Sequence, residues 1–236
     1  MLNIDIHRTV SVNILRAIYT DPALRTVLGF KGGTAAMLFY DLPRFSVDLD
    51  FDLLDAKKKA AVLDKLTTML PAFGMLREAS EKYYTLFFLL NYRKGERNLK
   101  IEISKRPIPS AYVSKSYLGI PMLVMKEEDV LASKLAALLT RKRLATRDIF
   151  DLWFFLKSHW ELKENLVRKK TALSIAGSLT KALRRVQSVK RTELLSGLGE
   201  LLDPKQKAWV KEKLVDDTIF YLRLYKKSLS LQHLPK

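Results

Sequence analysis

Between Ser46 and Leu53 the chain alternates strictly between polar and apolar residues. Val47, Leu49, Phe51 and Leu53 fall on one side, and Ser46, Asp48, Asp50 and Asp52 on the other. Period-two patterning predicts a strand with one buried face. Its second face then carries carboxylates in a row. Residues i and i+2 on a strand stand roughly 6–7 Å apart, and two carboxylates held that way repel each other unless a cation lies between them. Asp48-x-Asp50 therefore reads either as a divalent-cation site or as a polar strand face in water. Oxygen-only ligation would suit Mg²⁺.

The rest of the first half mixes helix and strand signals. Residues 8–28 and 57–70 read as helices, and a short helix over 33–41 follows Gly32-Gly33. Tyr83 to Arg93 and Asn98 to Arg106 read as two strands joined by a turn at Lys94-Gly95-Glu96-Arg97. On the second, Leu99, Ile101 and Ile103 alternate with Lys100, Glu102 and Ser104. Pro107-Ile108-Pro109 and Gly119-Ile120-Pro121 bracket an expected connection. Beyond it helices dominate, expected over 126–142, 147–157, 160–185, 190–201 and 204–228. The predicted class is α+β: a small mixed or antiparallel sheet flanked by helices, then a mostly helical C-terminal part. The expected domains are 1–122 and 123–236.

Charge bears on partners. Forty-two Lys and Arg against 25 Asp and Glu give a net +17 in 236 residues. A hydrophobic share of 48% excludes a disordered basic tail as the source. The stretch Arg141–Arg191 alone carries 14 basic and 4 acidic residues. It reads as a set of solvated helix faces, or as a surface for a nucleic-acid backbone or triphosphate. No cysteine is present, which excludes disulfides, thiolate metal sites and a thiol nucleophile. His7, His159 and His233 lie too far apart for metal-ligand spacing. Met1-Leu2-Asn3-Ile4-Asp5 has no signal-peptide pattern, and uncharged runs such as Tyr83–Tyr92 are too short to span a membrane. The expectation is a soluble cytoplasmic protein with no membrane partner.

Two further features strengthen the cation reading. Glu102 falls on the polar face of its strand, and the hairpin could bring it beside the first pair; three carboxylates can hold two metals for in-line attack on a phosphoryl group. Upstream, Lys31-Gly32-Gly33-Thr34 sits at a predicted strand-to-helix junction. Paired glycines allow close backbone approach to a phosphate, and a helix N-terminus offers unpaired N–H groups.

Gly32-Gly33-Thr34, Asp48-x-Asp50 and Glu102 together resemble the signature of the DNA polymerase β-type nucleotidyltransferase superfamily. Phe30-Lys31-Gly32-Gly33-Thr34-Ala35 with Arg44-Phe45-Ser46-Val47-Asp48-Leu49-Asp50-Phe51 resembles its AbiEii-like branch, the toxins of type IV toxin–antitoxin systems. So does Ser133-Lys134-Leu135-Ala136-Ala137-Leu138 followed by Arg147-Asp148-Ile149-Phe150-Asp151-Leu152. The resemblance covers about half the chain. It implies an enzyme in which Asp48, Asp50 and Glu102 hold two Mg²⁺ ions, although the branch often has Asp where this chain has Glu102. It implies that Gly32, Gly33 and Thr34 cradle the triphosphate of an NTP substrate, with Arg44 and Lys134 at its phosphates and Ser46 in support. Asp148 and Asp151 match a carboxylate motif near the site, with Arg147 beside them. The implied acceptor is RNA, specifically the 3′ end of tRNA, and a cognate antitoxin is an implied partner. Transfer to a protein or small molecule, and a binding module without catalysis, are the alternatives.

Read from the residues alone, several of these positions stay open. Lys134 lies on a nearly all-apolar helix, where an unpaired charge is costly to bury. Arg147, Asp148 and Asp151 share a helix face, as a structural ion-pair network would. Arg44 suits a surface turn as well as a phosphate. Tyr83, Tyr84, Phe87 and Phe88 suit core packing or base stacking.

Overall fold

The computed structural model of the protein describes residues 3–107 and 110–232. Met1, Leu2, His233 and two residues of the expected connection, Ile108 and Pro109, lie outside the described residues. The chain divides into two compact units, Met1–Lys126 and Glu127–Lys236.

In the N-terminal unit the alternating segment forms the strand β2 (Asp48–Leu53), with Leu49 and Phe51 buried. Among the described residues, seven strands form one sheet. The others are β1 (Leu28–Lys31), β3 (Met75–Glu81), β4 (Thr85–Asn91), β5 (Leu99–Ser104), β6 (Tyr112–Tyr117) and β7 (Ile120–Met125), in the order β3-β4-β5-β2-β1-β7-β6. The sheet is mixed: β2 runs antiparallel to β1 but parallel to β5, and β1 runs parallel to β7. Its apolar face joins Leu28, Phe30, Leu49, Phe51, Phe88, Ile101 and Ile103 in one core.

Helix α1 (Ile4–Thr20) starts where Asn3 accepts the Ile6 N–H. It buries Ile14, Leu15, Ile18 and Tyr19 and stops at Asp21-Pro22, short of the expected residue 28, because proline cannot continue an α-helix. The Tyr19 hydroxyl donates to the Leu28 carbonyl at 2.9 Å, which anchors the helix to β1. Helix α2 (Gly32–Phe39) follows β1 directly, and α3 (Lys59–Met69) follows β2.

The expected connection at Gly119-Ile120-Pro121 is instead the β6–β7 hairpin. Leu118 and Gly119, with φ of 49° and 76°, make its two-residue turn. Pro121 is second in β7, before the Val124 position that pairs with β1, so its missing N–H interrupts no ladder there.

The C-terminal unit is helical: α4 (Glu127–Thr140), α5 (Thr146–Lys157), α6 (Glu164–Thr171), α7 (Ile175–Gln187), α8 (Pro204–Glu212) and α9 (Leu214–Gln232). The expected helix 160–185 is two helices. Ala172 turns left-handed at φ 60°, and Ser174 caps α7 by accepting from Gly177. The expected helix 190–201 consists of turns and short 3₁₀ segments, Arg191–Glu193 and Gly199–Leu201. Leu131, Leu135, Ile149, Phe155, Leu179, Ala182, Val186 and Leu222 are buried in the core of this unit. No helix among the described residues is long and apolar enough to cross a membrane.

Candidate active site

The sheet register collects the acidic residues. Asp50 of β2 stands opposite Lys31 of β1 on one side and Glu102 of β5 on the other, and Glu102 stands opposite Phe87 of β4. Asp48 is opposite Lys100, and Asp52 is opposite Gly29 and Ser104. Strand pleating puts Asp48, Asp50 and Asp52 on the face away from the core, and adjacent strands lie about 4.8 Å apart, so Asp50 and Glu102 are cross-strand neighbours. Among the described residues, no three His, Cys, Asp or Glu side chains already converge as a metal-ligand group.

The glycines bring a loop close to these acids. Gly32 has φ +80°, and a Cβ there would collide with the Asp50 carboxylate. A Cβ on Gly33 would lie 2.6 Å from Ser46 Oγ and 3.0 Å from an Arg44 side-chain nitrogen. Only glycine lets the loop lie this close to the acids and Arg44. Lys31, at the cap position of α2, makes no side-chain hydrogen bond to the first turn, so the first N–H groups lack a side-chain cap. Thr34 is buried and donates to the Asp48 carbonyl at 2.5 Å. Its hydroxyl ties α2 to β2.

Arg44 is buried, not a surface turn residue, and donates to the Phe45 carbonyl at 2.9 Å. Phe87 and Phe88 are buried, whereas Tyr83 and Tyr84 are exposed.

Asp48 tests whether this face suits a cation. Its Oδ1 is buried and meets no hydrogen-bond partner among the described residues. Its Oδ2 lies 3.5 Å from Lys100 Nζ. A buried carboxylate oxygen without a donor is costly unless a cation or water completes it. An oxygen-only donor set on one strand face fits a hard divalent cation such as Mg²⁺.

Several residues around these acids gave weaker sequence signals. Lys31 Nζ sits 2.5 Å from Asp52 Oδ1, and the Tyr112 hydroxyl donates to Asp52 Oδ2 at 2.5 Å. The Tyr112 ring packs where a Cβ on Gly29 would stand. Asp52 thereby fixes the residue that precedes the Gly-Gly loop. Its place in the alternation was legible; Tyr112 has no sequence signal. Behind β2, His7 is buried, with Nε2 2.9 Å from the Val47 carbonyl and Nδ1 2.9 Å from the Tyr92 hydroxyl. A carbonyl only accepts, so Nε2 carries the proton and Nδ1 accepts from Tyr92. Burial holds the imidazole below its ordinary pKa. His7 braces the residue just before Asp48.

The remaining residues lie in the C-terminal unit. Asp151 is fully buried, and its Oδ2 is 2.6 Å from Lys134 Nζ. Asp148 is also buried. Arg141 Nε approaches its Oδ2 to 3.1 Å, but off the hydrogen-bonding direction, so the contact is an ion pair only. Burial raises the Asp148 pKa, against the opposing pull of Lys134 and Arg141. Arg147 adds a weaker attraction on Asp148.

Comparison with known proteins bears on the family and the fold. The family model described as nucleotidyl transferase AbiEii toxin, type IV toxin–antitoxin system, matches residues 13–213. An uncharacterized protein of Aquifex aeolicus (strain VF5) is 27% identical over 142 residues, 59% of this chain; the chain spans 64% of that relative's length. Two solved structures share the fold across most of both chains. JHP933 from Helicobacter pylori is 21% identical with a TM-score of 0.58, covering 99% of this chain and 100% of its own. MenT4, a nucleotidyltransferase toxin from Mycobacterium tuberculosis H37Rv, is 20% identical with a TM-score of 0.56, covering 93% and 85%.

Proposed function

The chain belongs to the AbiEii nucleotidyltransferase toxin family, and from that premise we propose that it transfers a nucleoside monophosphate from an NTP to the 3′ end of an RNA, with tRNA as the acceptor. The observation that carries the reading is the row Asp50–Glu102 with Gly32 packed against the Asp50 carboxylate. Asp48, Asp50 and Glu102 would hold two Mg²⁺ ions. Such ions, when bound, lower the pKa of an acceptor hydroxyl and offset the charge of leaving pyrophosphate.

The chain's own groups do the rest. The first N–H groups of α2 at Gly32 and Gly33 bind the triphosphate, with the helix dipole favouring its charge. Arg44, held beside Gly33, adds a guanidinium to that cradle. Ser46 packs at the same loop and fixes its distance from β2. Glu102 accepts the proton of the attacking hydroxyl. The new bond forms between that oxygen and the α-phosphorus, and the bond from the α-phosphorus to the pyrophosphate oxygen breaks.

In this reading the N-terminal unit is the catalytic domain, and the basic helical unit is a separate domain that holds acceptor backbone. Lys134, Asp148, Asp151 and Arg147 are assigned to its frame, because their charges meet one another in ion pairs and fields inside that unit. The reaction takes place in the cytoplasm, where NTPs and tRNA are found. A cognate antitoxin is the partner that would restrain it.

The test is incubation with each α-labelled NTP, total RNA and total protein, followed by sequencing of RNA 3′ ends. Label is expected in the RNA fraction, as added 3′ nucleotides. Label in protein alone would refute an RNA acceptor.

A further inference from the structure

Tyr83 and Tyr84 occupy the turn between β3 and β4, and they are 84% and 51% exposed. Turns favour Gly, Asn, Asp and Ser for backbone reasons, so two aromatic residues here are not explained by the turn. Neither ring packs into the core. They meet edge to face, with ring centres 4.4 Å apart. The Arg106 guanidinium lies 4.7 Å from the Tyr84 ring centre. The Lys105 N–H donates to the Tyr84 carbonyl at 2.8 Å, which fixes the end of β5 against the turn.

Cations gather at the same end of the sheet. Lys59 and Lys105 both bind Glu81 Oε1, at 2.8 and 2.5 Å. One carboxylate thus draws Lys59, which follows the exposed Lys57 and Lys58, toward the hairpin. Exposed rings beside a cationic track are what single-stranded nucleic acid binds: bases stack on the rings and phosphates follow the positive charge. The register places this corner near the acids. Phe87 stands opposite Glu102, and Tyr84 and Tyr83 precede it by three and four residues, roughly 10–13 Å at about 3.3 Å per residue. A strand only a few nucleotides long can span that gap.

We propose that Tyr83, Tyr84 and Arg106 form a stacking platform for the bases of a single-stranded acceptor RNA, a few nucleotides from its reacting end. The proposal rests on the RNA-acceptor reading above. It differs from that reading in placing sequence-tolerant acceptor contacts on the catalytic unit itself, in addition to the basic C-terminal unit.

The test is fluorescence anisotropy of a 5′-labelled 12-nucleotide single-stranded RNA at fixed salt. Tyr83→Ala/Tyr84→Ala should weaken binding at least about ten-fold, given the usual worth of base–aromatic stacking. Tyr83→Phe/Tyr84→Phe should stay within about two-fold, since the ring does the stacking. Arg106→Ala should weaken binding and flatten its salt dependence by about 0.7 in the log–log slope. NTP binding by calorimetry should be unchanged in all three, which reports a folded catalytic unit. If wild type binds the RNA and the double alanine variant binds it within two-fold, the platform is wrong and the RNA-acceptor reading stands; the tyrosines would then be free for a protein partner. If wild type binds no RNA, both readings fall together.

Discussion

Two pairs of aspartates close in sequence, Asp48/Asp50 and Asp148/Asp151, sit in different surroundings, one half-buried on a strand face and the other buried on a helix. Asp151 is fully buried with Lys134 against it, and Asp148 is buried beside Arg141. Asp48 and Asp50 are half-buried on a strand face, and one oxygen of Asp48 meets no donor among the described residues. The first arrangement gives each carboxylate a cation within the protein. In the second, among the described residues, Asp48 Oδ2 stands 3.5 Å from Lys100 Nζ while its Oδ1 meets no hydrogen-bond donor. A buried ion pair is weak evidence of catalysis, whereas a half-buried row of acids packed against a glycine loop is a candidate binding site.

The largest effect should come from the strand face. Asp48→Ala or Asp50→Ala should cut nucleotide transfer at least about a thousand-fold, roughly 4 kcal/mol of barrier. Thermal stability should hold or rise, because a repelling carboxylate is gone. Full transfer activity in either variant would break the contrast at its active side.

The next effect should be in stability. Asp151→Ala strands the largely buried Lys134 ammonium and should cost about 3 kcal/mol in denaturant unfolding. Lys134→Met/Asp151→Leu should recover most of that, since it removes both charges together. If Lys134→Met instead abolished transfer with unchanged unfolding, Lys134 would belong to the nucleotide and not to the frame.

Sequence legibility follows the same division. The acid ladder was readable because one buried face forces period-two alternation, and Val47, Leu49 and Phe51 display it. The loop was readable because Gly32 carries a positive φ that other residues resist. The β6–β7 hairpin was misread because Pro121 resembles a break, and nothing local shows that its N–H lies outside a ladder. Strand β3 was not anticipated: Arg77, Glu78 and Glu81 on an exposed edge erase the apolar signal. Pairings such as Tyr112 with Asp52, sixty residues apart, have no local signature at all. The division of 160–185 depended on Ala172 taking a left-handed conformation that its side chain does not announce.

Gly32→Ala sharpens the active side at smaller magnitude. Strain at φ +80° should cost about 1–3 kcal/mol. The collision with Asp50 should displace the acid as well, so NTP affinity should fall more than stability alone explains. Calorimetric titration with a nonhydrolysable NTP, beside a melting curve, separates the two. An affinity equal to wild type in a folded variant would mean that the phosphates lie elsewhere.

The smallest effect concerns the brace behind β2. Burial holds the His7 pKa below 6.5, so the folded protein favours the neutral ring that donates to Val47 and accepts from Tyr92. A depressed folded pKa means that the unfolded chain takes up the proton first as the pH drops. The His7 contribution is therefore fully present above about pH 6.5 and is lost as the pH falls through the lower folded value. Wild type should lose more melting temperature between pH 7.5 and 5.5 than His7→Gln, whose amide can donate to Val47 without titrating. Parallel losses in the two proteins would mean that acid sensitivity arises among other groups, and that His7 supports Asp48 by packing alone.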